Sequence, residues 1–153
     1  MSLGATTVLF RTLPSSVEFT AEEKRSLRTF ARTLSRRMAN GRAFTCVISD
    51  DTELRRLNHA FRGGDYATDV LSFPAQNGAY DIGEMIISAE CAESQATEFG
   101  HNRIDEIRIL MLHGVLHLSG MDHERDRGEM DGAEREWREE LGLSLTLIAR
   151  ATR

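Results

Sequence analysis

The chain has 153 residues, 41% of them hydrophobic and 28% charged, with a formal net charge of −5. That length suffices for one ordinary core and predicts a single domain over 1–153, packed from about residue 5 to about residue 145. No apolar run approaches the ~20 residues of a membrane helix, the N-terminus lacks the regions of a secretory signal, and the acidic balance speaks against indiscriminate nucleic-acid binding. The expectation is a cytoplasmic protein with no membrane partner.

Residues 6–13 alternate weakly and favour a strand, which Pro14 closes. Thr20 and Glu23 have the spacing of a capping box. Behind them Leu27, Phe30, Ala31, Leu34 and Met38 fall on one helical face, and Asn40-Gly41 stops the helix. The opposite face carries Arg25, Arg32 and Arg36, with Arg28 on its flank. A solvated face is the ordinary meaning of such a stripe, and a contact with RNA phosphates is the other. Residues 43–49 read as a strand and 50–60 as a short helix bearing Leu54 and Leu57, broken by Gly63-Gly64. Residues 69–73 form a strand that Pro74 stops, followed by turn chemistry at Gln76-Asn77-Gly78. Residues 82–88 are a further strand, Ser88 caps a helix to about Phe99, and Gly100 ends it. Residues 103–118 are apolar on several faces and predict a helix in the core. Residues 126–141 form a charged amphipathic helix ending at Gly142, whose Trp137 and Leu141 pack on the domain or dock a partner. The order strand, helix, strand, helix, strand, strand and three helices predicts an α+β fold, a small mixed β-sheet covered by helices.

Cys46 and Cys91 lack CxxC spacing and read as two buried reduced thiols. Chemistry concentrates instead in His113-Gly-Val-Leu-His117-Leu-Ser-Gly120-Met-Asp-His123. Positions 113 and 117 lie one turn apart, so both imidazoles leave the same helical face. Gly120 can end the helix in a left-handed conformation and let the chain fold back with His123. Three imidazoles suit one zinc ion per chain and leave a fourth position for water. A closed structural site, completed by an acidic ligand such as Asp122, is the alternative. His59 and His101 lie outside the spacing and are read as non-ligands.

The H-x3-H-x5-H spacing is that of a zincin-like metal-site helix, as in metzincin peptidases. Those enzymes carry a glutamate directly after the first histidine as general base. Here that position is Gly114, so metal capture is expected without the peptidase chemistry.

Three stretches in order then carry a family likeness. They are Leu57-Asn58-His59-Ala60-Phe61-Arg62 running through Asp65 to Thr68-Asp69-Val70-Leu71-Ser72-Phe73-Pro74; Ile82-Gly83-Glu84-Met85-Ile86-Ile87-Ser88; and the histidine segment to Glu124. On these the chain resembles the YbeY endoribonucleases of ribosomal RNA maturation. The resemblance implies a metal-dependent, single-strand-specific endoribonuclease acting in rRNA maturation and ribosome quality control. Its partners would be precursor ribosomal RNA, with a ribosomal subunit or ribosome-associated proteins. It also implies that Arg62 takes part in catalysis or RNA binding, where its fork can grip two phosphate oxygens. The family more often has Asp where this chain has Glu84. No side chain stands out as general base. Asp69, Glu84 and Asp122 are expected to orient a histidine by accepting its other N–H. The competing readings are a zinc-dependent amide or peptide hydrolase and a non-catalytic ribosome-maturation factor with a structural metal.

Overall fold

The structure, a computed structural model, describes residues 5–11, 13, 17–62, 68–76, 80–121 and 126–143. Its elements are β1 (Thr7–Phe10), α1 (Ala21–Met38), β2 (Ala43–Ser49), α2 (Asp51–Arg62), β3 (Val70–Pro74), β4 (Asp81–Ser88), α3 (Ala89–Phe99), α4 (Arg103–Leu118) and α5 (Glu129–Glu140). The predicted order of elements is the observed one. The sheet runs β1-β2-β4-β3, with β1, β2 and β4 parallel and β3 antiparallel to β4, so it is mixed as expected.

Local chemistry sets most boundaries. Thr20 accepts from the Glu23 N–H at 3.1 Å while the Glu23 carboxylate accepts from the Thr20 N–H at 2.9 Å, the reciprocal pair that starts α1. Ser88 caps α3, and Gly100 ends it at φ 76°. The last helix begins three residues later than the sequence suggests. Gly128, at φ 101°, is its N-cap, and Asp126 stays outside the helix, accepting from the N–H groups of Gly128 and Met130 at 2.9 and 2.8 Å. Pro74 is the final residue of β3 rather than its stop; an edge strand tolerates the missing N–H. The expected break at Gly63-Gly64 and the glycine of the 76–78 turn lie outside the described residues.

Strand alternation sends side chains to two helix layers. Cys46, Ile48, Met85 and Ile87 join one cluster with Leu27 and Leu34 of α1 and Ile107, Leu110 and Met111 of α4. Val47 and Ile86 join Leu54 and Leu57 of α2 on the other face. Helix α4 is buried almost all round, from Glu106 to Val115 with Arg108 the exception, as its apolar composition predicts. Trp137 and Leu141 pack against the larger cluster, and the Arg37 guanidinium lies 5.6 Å from the Trp137 ring centroid. Of their two expected placements, packing on the domain is observed. Among the described residues no helix is long and apolar enough to cross a membrane.

Both cysteines are free, Cys46 buried and Cys91 half-buried. Burial raises the Cys46 thiol pKa. Burial, then the charges of Asp69, Asp51, Glu106 and Glu90, push Cys91 up to about 12. The thiolate is the reactive form, so neither cysteine should react with a disulfide reagent at pH near 8 (about four pH units below the Cys91 value) until the protein unfolds. Rapid stoichiometric labelling of native protein would refute this.

Candidate metal centre

The site is built on the last turn and a half of α4. His113 is buried and His117 half-buried, with ring centroids 4.6 Å apart and planes at 77°. Their Nε2 atoms approach to 3.0 Å. Each ring is held through its other nitrogen. His113 Nδ1 lies 2.7 Å from Glu134 Oε1, and His117 Nδ1 lies 3.0 Å from the Met121 carbonyl oxygen. Gly120, at φ 99°, turns the chain so that this carbonyl comes back over the helix end.

These partners determine the tautomers. A carbonyl oxygen only accepts, so His117 donates from Nδ1 and its neutral ring presents a bare lone pair at Nε2. The Glu134 carboxylate plays the same part for His113. With both Nδ1 atoms engaged, two Nε2 atoms 3.0 Å apart must share either a proton or a cation. That arrangement fits a cation, because two nitrogens on one tetrahedral zinc lie about 3.3 Å apart. His123, the third expected ligand, lies outside the described residues. Among the described residues no three His, Cys, Asp or Glu side chains group as a ligand set.

Glu134 is the contributor that sequence reasoning missed. It sits on α5, 1% exposed, and its second oxygen accepts from the fully buried Arg138 guanidinium. A signal was present, since Met130, Glu134, Trp137, Arg138 and Leu141 share one side of the helix. A charged i, i+4 pair on an otherwise apolar stripe must find polar partners inside the fold. The orienting role expected of Asp69 or Glu84 is therefore filled at His113 and His117 by Glu134 and a backbone carbonyl. Glu84 is exposed and shares the α2 side of the sheet with Ile86, while α4 packs on the Met85 side. Side-chain alternation, one residue out of phase, removes it from His113 and His117. Asp69 is buried and accepts from Gln95 Nε2 at 3.3 Å, and Asp122 lies outside the described residues. Arg62 ends α2, across the sheet from α4; its side chain lies outside the described residues.

The two histidines read as non-ligands stand apart from the pair. His101 Nε2 is 2.6 Å from the buried Glu106 carboxylate, and His59 is exposed on α2.

Gly114 explains the missing peptidase base in space as well as in sequence. A Cβ there would stand 2.6 Å from Met85 Sδ and 3.5 Å from Ser72 Oγ. Helix α4 rests on the sheet at this point, and the position after His113 faces packed side chains rather than a cleft.

Fold and site together define a class: a mixed-sheet α+β protein whose central buried helix presents a histidine pair anchored through both Nδ1 atoms. A family model described as Endoribonuclease YbeY matches residues 14–142, and the chain belongs to that family. It is 51% identical over 143 residues to the "Endoribonuclease YbeY" of Solibacter usitatus, covering 94% of this chain and 92% of that one. It is 50% identical over 107 residues to the protein of the same name from Koribacter versatilis, covering 70% of each. Among solved structures it is similar to the solution structure of TM1509 from Thermotoga maritima. The TM-score is 0.61 and the identity 26%, over 89% of each chain.

Proposed function

We propose that this chain is a metal-dependent, single-strand-specific endoribonuclease of ribosomal RNA maturation and ribosome quality control, acting in the cytoplasm. One zinc ion per chain would be held by His113, His117 and His123. The approach of the two Nε2 atoms to 3.0 Å, with both Nδ1 atoms engaged, carries this reading. Names borne by relatives at about half identity supply the substrate class. A zinc ion held there would supply a Lewis acid and lower the pKa of a water it binds to near neutrality.

The chain's own residues do the rest. Glu134 holds the His113 ring with its proton on Nδ1, and the Met121 carbonyl does so for His117, keeping both Nε2 lone pairs aimed at one point. Arg62 grips the phosphate under attack, where its planar fork matches two oxygens. Asp69, Glu84 and Asp122 are the candidates for orienting His123 by accepting its other N–H. The crowding at Gly114 disfavours the peptide-hydrolase reading, because no glutamate fits where that chemistry keeps its base.

The test is cleavage of single-stranded ribosomal RNA fragments by highly purified protein. Chelation and His117→Ala should each abolish cleavage, and Arg62→Ala should lower the rate about 10²–10³-fold, as for loss of one charge-stabilising donor. Cleavage that survives chelation and both substitutions comes from a contaminant and ends the proposal. So does peptide hydrolysis without RNA cleavage.

A further inference from the structure

The charge of this protein is unevenly distributed. Helix α1 contains Lys24, Arg25, Arg28, Arg32, Arg36 and Arg37, six of the 19 basic residues, but only Glu22 and Glu23 of the 24 acidic ones. The helix is therefore +4 while the remainder of the chain is −9. At 100° per residue, Lys24, Arg28, Arg32, Arg25 and Arg36 fall within an arc of about 120°. The four arginines of this arc are exposed and Lys24 is half-buried.

A solvated face in so acidic a chain should interleave charges of opposite sign, since carboxylates one turn away stabilise a helix. This one does the reverse. Lys24, Arg28, Arg32 and Arg36 stack like charge over like charge at i, i+4 over just more than three turns. Among the described residues none of the five makes an ion pair. Glu23 lies outside the arc, turned toward Thr20 and Arg103. Several of the five are nevertheless fixed in place. Arg28 donates to the Val8 carbonyl at 3.3 and 3.4 Å, and it and Lys24 lie 5.2 and 5.3 Å from the Phe10 ring centroid. Arg32 donates to Thr29 Oγ1 at 3.2 Å. Repulsion retained on one face and held in a row about 16 Å long, from Arg25 to Arg36, suits a polyanion of regular charge spacing.

We infer that this face of α1 is a docking surface for the phosphate backbone of the substrate RNA. The inference rests on the ribonuclease reading for its choice of polyanion. An anionic membrane fits poorly, because interfacial helices pair a basic face with an apolar one that enters the lipid. Here the apolar face, Leu27, Ala31 and Leu34, is buried in the core. An acidic protein partner would want aromatic or aliphatic anchors at the centre of the patch, and the arc has none.

The experiment measures RNA binding separately from cleavage, in a His117→Ala background so that the RNA stays intact. The probe is a single-stranded ribosomal RNA fragment titrated across a range of salt. Combining Arg25→Gln, Arg32→Gln and Arg36→Gln spares Arg28 and its contact with β1. Each lost phosphate contact lowers the slope of log K against log salt by about 0.7 for single strands, so the slope should fall by about 2. Kd at physiological salt should rise roughly tenfold to a hundredfold. The matching triple lysine variant should keep the slope. Unchanged Kd and slope in the glutamine variant overturn the inference whether or not the protein cuts RNA, as does a wild-type chain with no affinity for RNA. Loss of binding to phosphatidylserine vesicles with RNA binding intact overturns it in favour of a membrane. If RNA binds with the expected slopes but is never cut, the ribonuclease reading fails and this surface stands.

Discussion

Glu134→Gln should lower zinc affinity about 10–100-fold while leaving the fold in place. Affinity would be measured by competition against a chromophoric chelator, and folding by circular dichroism. Glutamine keeps an oxygen that can accept from His113 Nδ1 but removes the charge that raises the ring's basicity as a ligand; loss of such a partner typically has an effect of this size. Glu134→Ala goes further, removing the acceptor and one carboxylate contact of the buried Arg138. Breaking a buried charged pair from one side destabilises by about 3–5 kcal/mol, a large part of the 5–15 kcal/mol that holds an ordinary domain together. The alanine variant should therefore shift the urea midpoint steeply, and the glutamine variant less, because its amide oxygen still accepts from Arg138 although the countercharge is gone. The two readouts separate positioning from structure, because a merely structural Glu134 would change stability and leave the metal affinity of folded protein untouched. Wild-type affinity in the glutamine variant would remove Glu134 from the account of the site.

Gly114→Glu, which rebuilds the peptidase-like sequence, should yield no peptidase and a badly destabilised protein. The first atom of the new side chain meets Met85 Sδ at 2.6 Å, and Met85 itself is fully buried. A carboxylate placed there is desolvated, and among the described neighbours of that position no cation meets it. A loss above about 4 kcal/mol is expected, the range reserved for buried charge and gross overpacking. Gly114→Ala is the graded control. The end of Met85 can shift, overpacking costs about 1–3 kcal/mol, and better helix propensity returns about 1 kcal/mol. Urea denaturation of both variants, with a peptide-hydrolysis assay on the glutamate form, checks the pair. A stable glutamate variant that cut peptides would show that only one residue separates this site from a peptidase.

Single residues mark how much of this fold is written in local sequence. The Thr20–Glu23 box, the Ser88 cap and the Gly100 stop were legible because capping is chemistry between residues three or four apart. The pairing of His113 with His117 was legible for the same reason. Glu84 marks a limit: its motif and charge are visible in the chain, but the side of the sheet it points to depends on which helices cover each face. Asp126 was read as the first residue of a helix and lies two residues before its N-cap, Gly128, a shift of boundary that propensity cannot resolve.

Local order therefore determined the elements, the family signature and the two imidazoles on one helical face, since each follows from spacings shorter than about two turns. Tertiary structure alone decided that α5 crosses α4 where Glu134 reaches His113, that α4 rests on Met85 tightly enough to require Gly114, and that Trp137 is partly covered. Those contacts join residues 21 or more apart in the chain, and no local pattern states which distant side chain will fill a given space once the layers pack.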